Sequence, residues 1–204
     1  MAAYTETEVK LYVPDLDAVR ARLEAMGARL SAQRVYERNI RYDDAAGTFD
    51  SERIVLRLRQ DTRVRLTYKA DTDQVAAGDA KVRFEAEVEV SDFDAMHTIL
   101  GKLGFSPFMI YEKYRTTYTL GAVEVMLDEL PYGSFVEIEG EAEAIMQARQ
   151  QLDLHDAPSF TASYTTLFKT VCQRLSLDFT DLTFANFAGV TVPLSAFTTA
   201  GAGA

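Results

Sequence analysis

Glu6-Thr7-Glu8-Val9-Lys10 opens the first regular stretch of the chain, and Glu85-Ala86-Glu87-Val88 repeats its pattern in the second half. In a strand, side chains alternate between faces, so Glu6, Glu8 and Lys10 point one way and Thr7, Val9 and Leu11 the other. Alternate residues lie ~7 Å apart, and two carboxylates about 6 Å apart repel by ~3 kcal/mol at an effective dielectric near 20. Open solvent offsets that repulsion on an ordinary half-exposed strand. A hard divalent cation does so too, since Mg²⁺ takes one or two carboxylates and leaves its other positions to water and phosphate oxygens.

Working outward, Pro14 stops the first strand, expected from about Tyr4 to Val13, because it has no ladder donor. Asp15 then reads as the N-cap of a helix through Met26, with Leu16, Val19, Leu23 and Met26 on one face and Gly27 closing it. Strands are expected over Val35 to Asp43, Arg53 to Gln60 and Arg63 to Ala70, with a polar loop from Asp71 to Asp79. From Lys81 the order begins again. Asp92-Phe93-Asp94 repeats Asp15-Leu16-Asp17, a second helix carries Phe93, Met96, Leu100 and Leu103, and Tyr111-Glu112-Lys113 echoes Tyr36-Glu37-Arg38. Strands at about Tyr111 to Leu120, Ala122 to Glu129 and Gly133 to Gly140 complete a duplicated β-α-β-β-β unit, making eight strands, enough for a small barrel. Helices over Ala142 to Leu154 and Ser159 to Leu175 finish the domain.

Strand by strand, one face is apolar and the other charged. Arg57 and Arg59 oppose Leu56 and Leu58; Arg65 and Lys69 oppose Leu66 and Tyr68; Lys113 and Arg115 oppose Tyr114; Glu137 and Glu139 oppose Val136 and Ile138; Asp128 opposes Leu127. An open sheet with its polar side in water satisfies this pattern, and so does a barrel with a polar lumen and helices outside. Arg dominates the basic positions, and its planar fork suits oxygen anions, which leans the pattern toward a lumen. Acids gather on the first and last strands and bases in the middle, the polarity of a polyphosphate with a bound metal.

The chain has 204 residues and a formal charge of −10, which disfavours nucleic acid and anionic membranes as partners. Its single Cys172 excludes an internal disulfide framework or a thiolate zinc cluster, and His97 and His155 lack the spacing of metal or nucleophile partners. No secretory signal is read before Tyr4, so cytoplasm is the expected compartment. After Asp181 no charge appears. Residues 178–204 read as an extension of a domain at 1–177, packing on that domain or on a second subunit in a homodimer.

Taken together, Glu6-x-Glu8-x-Lys10, Arg38 before Tyr42-Asp43, Leu56-Arg57-Leu58-Arg59, Leu66-Thr67-Tyr68-Lys69, Lys113-x-Arg115-x-x-Tyr118, Leu127-Asp128-Glu129 and Gly133-x-Phe135-x-Glu137-x-Glu139 resemble the CYTH superfamily, the triphosphate tunnel metalloenzymes. The resemblance spans about residues 4 to 169, with Ser163-Tyr164 near its end. It implies an α+β fold built on a closed eight-stranded antiparallel barrel, a tunnel with a polar lumen, outer helices and pseudo-duplicated halves. It implies a small-molecule triphosphate substrate with Mg²⁺ or Mn²⁺ held by Glu6, Glu8, Asp128, Glu137 and Glu139. Triphosphate contacts then fall to Lys10, Arg38, Arg57, Arg59, Lys69, Lys113 and Arg115, and the catalytic set to Glu6, Glu8, Glu87 and Lys69. Water as nucleophile makes the protein a triphosphatase acting on inorganic, thiamine or nucleoside triphosphate. A ribose hydroxyl makes it a class IV-type adenylyl cyclase, and binding without turnover makes it a non-catalytic polyphosphate or nucleotide binder. The hydrolase needs the fewest features and stands first.

Overall fold

The computed structural model describes residues 5–71 and 81–197, with the side chains of 5, 6, 81 and 82 outside the description. The side chain of Glu6, most of the polar loop expected at Asp71 to Asp79 and the end of the tail therefore lie outside the described residues.

The first half runs β1 (Thr5–Tyr12), α1 (Leu16–Ala25), β2 (Arg29–Asp43), the one-turn α2 (Thr48–Ser51), β3 (Val55–Gln60) and β4 (Val64–Asp71). The second runs β5 (Lys81–Val90), α3 (Phe93–Lys102), β6 (Ser106–Leu120), β7 (Val123–Leu130) and β8 (Gly133–Glu139), followed by α4 (Ala142–Gln151) and α5 (Tyr164–Leu175). Both halves repeat the same order, and the matching helices begin alike. Asp15 accepts from the Ala18 amide at 3.0 Å and Asp92 from the Ala95 amide at 2.7 Å, each satisfying a donor the first turn leaves free.

All eight strands belong to one antiparallel sheet, ordered β1-β5-β4-β3-β2-β6-β7-β8. The expected closed eight-stranded barrel needs correction. The order returns to β1, but β1 is divided between two neighbours: Thr5 to Glu8 pair with β5, and Glu8 to Tyr12 pair with β8. Above Glu8 the edge facing β5 is taken by residues 158–160 instead, through Tyr12 N–H to the Pro158 carbonyl and Phe160 N–H to the Lys10 carbonyl, both at 2.9 Å. The architecture is thus a single rolled sheet with a short seam, not a cylinder continuous over its height. Rolling a sheet demands stagger between strands, and here the stagger carries β5 away from β1 after Glu8.

Several element boundaries also differ from expectation. β2 starts at Arg29, carrying register shifts near Ala32 and after Arg41; its exposed polar start has no alternation to read. β6 starts at Ser106 and accommodates Pro107 beside the irregularity opposite Tyr42, where a missing ladder donor is tolerated. α5 starts at Tyr164 because Ser159 and Phe160 are engaged by β1 and Ser163 caps the helix, accepting from the Thr166 amide at 3.1 Å.

Helices cover the outer, apolar face. α1 buries Leu16, Val19 and Leu23 against Val9, Val125, Val136 and Ile138, with Ile145 and Ala148 of α4 completing the cluster. Burying each aliphatic side chain contributes about 1.5–3 kcal/mol. Met26, expected on that face, is exposed. Just past the end of β8, a Cβ on Gly140 would stand 2.9 Å from Cγ1 of Val123 and 3.2 Å from the Ala122 carbonyl, so glycine lets the chain leave the sheet close against the start of β7.

The uncharged tail packs on the domain. Leu182, fully buried, bonds the backbone of β6 on both sides, its N–H to the Ile110 carbonyl and its carbonyl from the Glu112 N–H. Phe187, Ala196 and Phe197 join Tyr132, Phe135 and Phe168 in one aromatic cluster that backs α5. Among the described residues no helix is long and apolar enough to cross a membrane.

Candidate functional site

The inner face of the rolled sheet bounds a cavity of about 340 Å³. Strand parity puts Glu8 and Lys10 of β1, Arg57 and Arg59 of β3, Lys69 of β4, Glu85 and Glu87 of β5, Lys113 and Arg115 of β6, and Glu137 and Glu139 of β8 on its wall. Among the described residues, nine cationic side chains and six carboxylates line it, so this lining is locally basic in an acidic chain.

Arg38 is the exception among the expected basic residues. It faces outward with Ile40 and Tyr42, its guanidinium 5.7 Å from the centre of the Phe93 ring of α3. The inward positions of β2 are Glu37, Asn39 and Arg41, and Arg41 lines the cavity. The Glu-Arg pair in the sequence gives no parity of its own; the pairing of Arg41 opposite Arg57 does.

Two of the expected acids hold the bases in place. Asp128, fully buried, accepts from Lys113 at 3.0 Å, from Arg115 at 2.5 and 2.6 Å, and from the Tyr164 hydroxyl at 2.8 Å. Glu137 pairs with Lys10 at 2.8 Å and also bonds Arg115. Burial would push the Glu137 carboxyl up, but Lys10, Arg115 and Lys113 hold it well below the usual range. Burial would lower the Lys10 ammonium; Glu137 and Glu8 raise it above its ordinary value. Glu37, missed in the sequence, does the same service 3.7 Å from both Lys113 and Arg59. A buried charge left alone costs several kcal/mol, which explains why Lys10, Arg59, Lys113 and Arg115 each have a carboxylate behind them.

The other acids form a row. Glu8 stands opposite Glu139 across β1–β8, and Glu139 opposite Glu124 across β8–β7. Burial first, then Glu8, Glu124 and Glu85, raise the Glu139 carboxyl in spite of Lys69. Glu124 was not singled out from the sequence although it lies in the strand expected over Ala122 to Glu129 and shares a face with Asp128 four residues on. Among the described residues no group of three or more acidic, His or Cys side chains is gathered at ligand distance. The row nevertheless fits Mg²⁺ or Mn²⁺, because such ions need only one or two carboxylates and a cation relieves like charges on facing strands.

Arg57 donates to the Tyr111 hydroxyl at 3.0 Å and to the Thr67 hydroxyl at 3.1 Å, and Thr67 donates to Glu87 at 2.7 Å. Burial would raise the Tyr111 hydroxyl, but Arg57 and Arg59 bring it below its ordinary value. Lys69 pairs with Glu85. A second cavity of about 280 Å³ shares Arg59, Arg65, Arg115, Glu124, Met126 and Glu139 with the first and opens beside the Asp61–Arg63 turn. At the opposite end the first turn of α5 lines the main cavity with Ser163, Tyr164 and Thr165.

The fold and the site together define a rolled antiparallel sheet around a locally basic cavity edged by facing carboxylates. The chain belongs to the CYTH family: the CYTH domain profile matches residues 4–158. "Putative adenylate cyclase MJ0240" of Methanocaldococcus jannaschii is 28% identical over 137 residues, covering 66% of this chain and 75% of that protein. The PH1819 protein of Pyrococcus horikoshii OT3 superposes with a TM-score of 0.63 at 27% identity, over 80% of this chain and 98% of its own. A Hippeastrum structure described as "Putative adenylyl cyclase HpAC1", with "a dominant triphophatase activity", has a TM-score of 0.56 at 20% identity, over 80% and 95%. That last likeness concerns the fold.

Proposed function

We propose that this protein hydrolyses a triphosphate held in the cavity, with a divalent cation, Mg²⁺ or Mn²⁺, bound at the row of Glu8, Glu139 and Glu124. The observation that carries the reading is the convergence of Lys10, Arg57, Arg59, Lys69, Lys113 and Arg115 on one wall system opposite those carboxylates. A linear triphosphate is a string of oxygen anions, and guanidinium forks bind such oxygens with paired, charge-assisted hydrogen bonds. When bound, the cation neutralises phosphate oxygens and polarises phosphorus.

The chain's own residues do the rest. The bases hold the phosphate chain in line and keep its charge compensated while the bridging P–O bond breaks. Water supplies the new P–O bond. Its proton passes to the Glu87 carboxylate, oriented by the Thr67 hydroxyl at 2.7 Å and lying 3.6 Å from Arg57. The leaving diphosphate, free or esterified according to the substrate, carries its negative charge onto the arginines.

The name of the archaeal relative favours a second reading, in which a ribose hydroxyl attacks the α-phosphate and cyclic AMP and pyrophosphate form. One experiment separates them. Purified protein with Mg²⁺ or Mn²⁺ is given tripolyphosphate, thiamine triphosphate and ATP while phosphate, pyrophosphate and cyclic AMP are measured. Phosphate release from at least one substrate is expected. Cyclic AMP with pyrophosphate from ATP would replace hydrolase by cyclase, and tight binding without products would leave a non-catalytic binder.

A further inference from the structure

Arg41 has no place in the sequence motifs, yet it lies at the end of the main cavity under α5. Only 6% of it is exposed. Its guanidinium donates to the Thr165 hydroxyl at 3.0 Å and to the Ile54 carbonyl at 3.2 Å, and stands 4.9 Å from the centre of the Phe108 ring. Its nearest carboxylate, Asp50, is 3.7 Å away and is itself bonded to Lys169 at 2.6 Å. The Nε of Arg41 is buried without a protein partner, and so is that of Arg57, the residue across the ladder. Burial first, and the nearby Arg83, weaken the hold of Arg41 on its proton, as expected of a cation short of counter-charge.

The wall it touches is also electropositive. Ser163, Tyr164 and Thr165 begin a twelve-residue helix whose N-terminus meets the cavity. The first amides of a helix have no acceptor within it, and Ser163 satisfies only that of Thr166. Free amides, helix dipole and an under-compensated guanidinium together suit a doubly charged phosphoryl group.

We infer that Arg41 and the first turn of α5 form a subsite for the terminal phosphoryl group of a linear polyphosphate, so that the cavity recognises a chain end as well as phosphate charge. The inference rests on the triphosphate reading and adds an orientation to it. The free end seats against α5, and the remaining phosphates run along Arg57 and Arg59 toward the acid row.

The test compares metal-free binding of tripolyphosphate with that of trimetaphosphate, a ring of three phosphates without an end, by titration calorimetry. Arg41→Gln is expected to weaken tripolyphosphate about tenfold or more, the worth of one charged hydrogen-bonding group, and to change trimetaphosphate less than twofold. Lys69→Gln, which removes a cavity cation away from α5, is expected to weaken both. Thr165→Val keeps the charge but frees the guanidinium, and it is expected to reproduce the selective loss more weakly; this variant carries the test if Arg41→Gln does not fold. Equal losses for both ligands, or no loss for the linear one, overturn the subsite while leaving the triphosphate reading intact. Failure of the unmodified protein to bind either ligand overturns that reading and the subsite with it.

Discussion

Glu8 and Glu139 face each other directly across the β1–β8 ladder, at the one residue of β1 that pairs with strands on both sides. Two like charges sit where β1 passes from one neighbour to the other. The arrangement opposes folding of the metal-free protein and favours a bound cation.

The first prediction concerns Glu139. Its carboxyl titrates above the ordinary value in the folded chain, so the folded state binds that proton more tightly than the unfolded one. The associated destabilisation is present above the raised pKa and disappears as pH falls below the unfolded value of about 4.3. Glu139→Gln should therefore raise the thermal midpoint at pH 8 without metal, give little change at pH 4, and lose most of the Mg²⁺-induced stabilisation. An unchanged midpoint at pH 8 would show that the facing carboxylates do not repel.

Lys10 and Glu137 behave in the opposite way. Glu137 is held well below the carboxylate range, so its contribution is present above about pH 4.3 and is lost as pH falls through its depressed value. Lys10→Met leaves the buried Glu137 carboxylate with Arg115 as its contact cation and should cost up to about 3 kcal/mol in denaturant unfolding near pH 7, the lower end of the range for breaking a buried pair. Adding Glu137→Gln should recover a large part of the loss. Additive losses in the double variant would mean that the pair is not coupled.

Arg38 and Arg57 offer a test of which face binds. Arg57→Ala should weaken tripolyphosphate about tenfold or more and inorganic phosphate much less, since several oxygens of the longer ligand lose partners. Arg38→Ala, on the outer face beside Phe93, should leave tripolyphosphate affinity within about twofold. A loss at Arg38 equal to that at Arg57 would return the outer residue to the site.

Leu182 tests the tail. It is fully buried between β6 and the aromatic cluster, and Leu182→Ala should cost about 2–5 kcal/mol in chemical unfolding. A change below about 0.5 kcal/mol, typical of surface positions, would show that the tail is dispensable for the domain.

Much of this was legible beforehand because strand periodicity is local. Leu56 to Arg59 and Val136 to Glu139 declare which side is apolar, and Asp15 and Asp92 announce helices through their capping chemistry. Parity fails as a guide where the chain shifts register. Arg38 entered the expected site through the family motif and not through parity, although Val35 to Arg41 pair in unbroken register and put Arg41 inward; the late start assigned to β6 hid its passage through Pro107. Glu124 and Glu37 lay in expected strands, with Glu124 on the face of Asp128, but matched no motif that singled them out.

The order of residues alone determined the duplicated β-α-β-β-β plan, the apolar and charged faces, and six of the bases that meet in the cavity. Those features depend on neighbours two to four positions apart. The division of β1 between β5 and β8, the use of Asp128 and Glu137 as counter-ions, the acid row through Glu124 and the docking of the tail were decided by tertiary structure. Each depends on which distant strand comes alongside, and that choice is made by the stagger of the whole sheet rather than by any single segment.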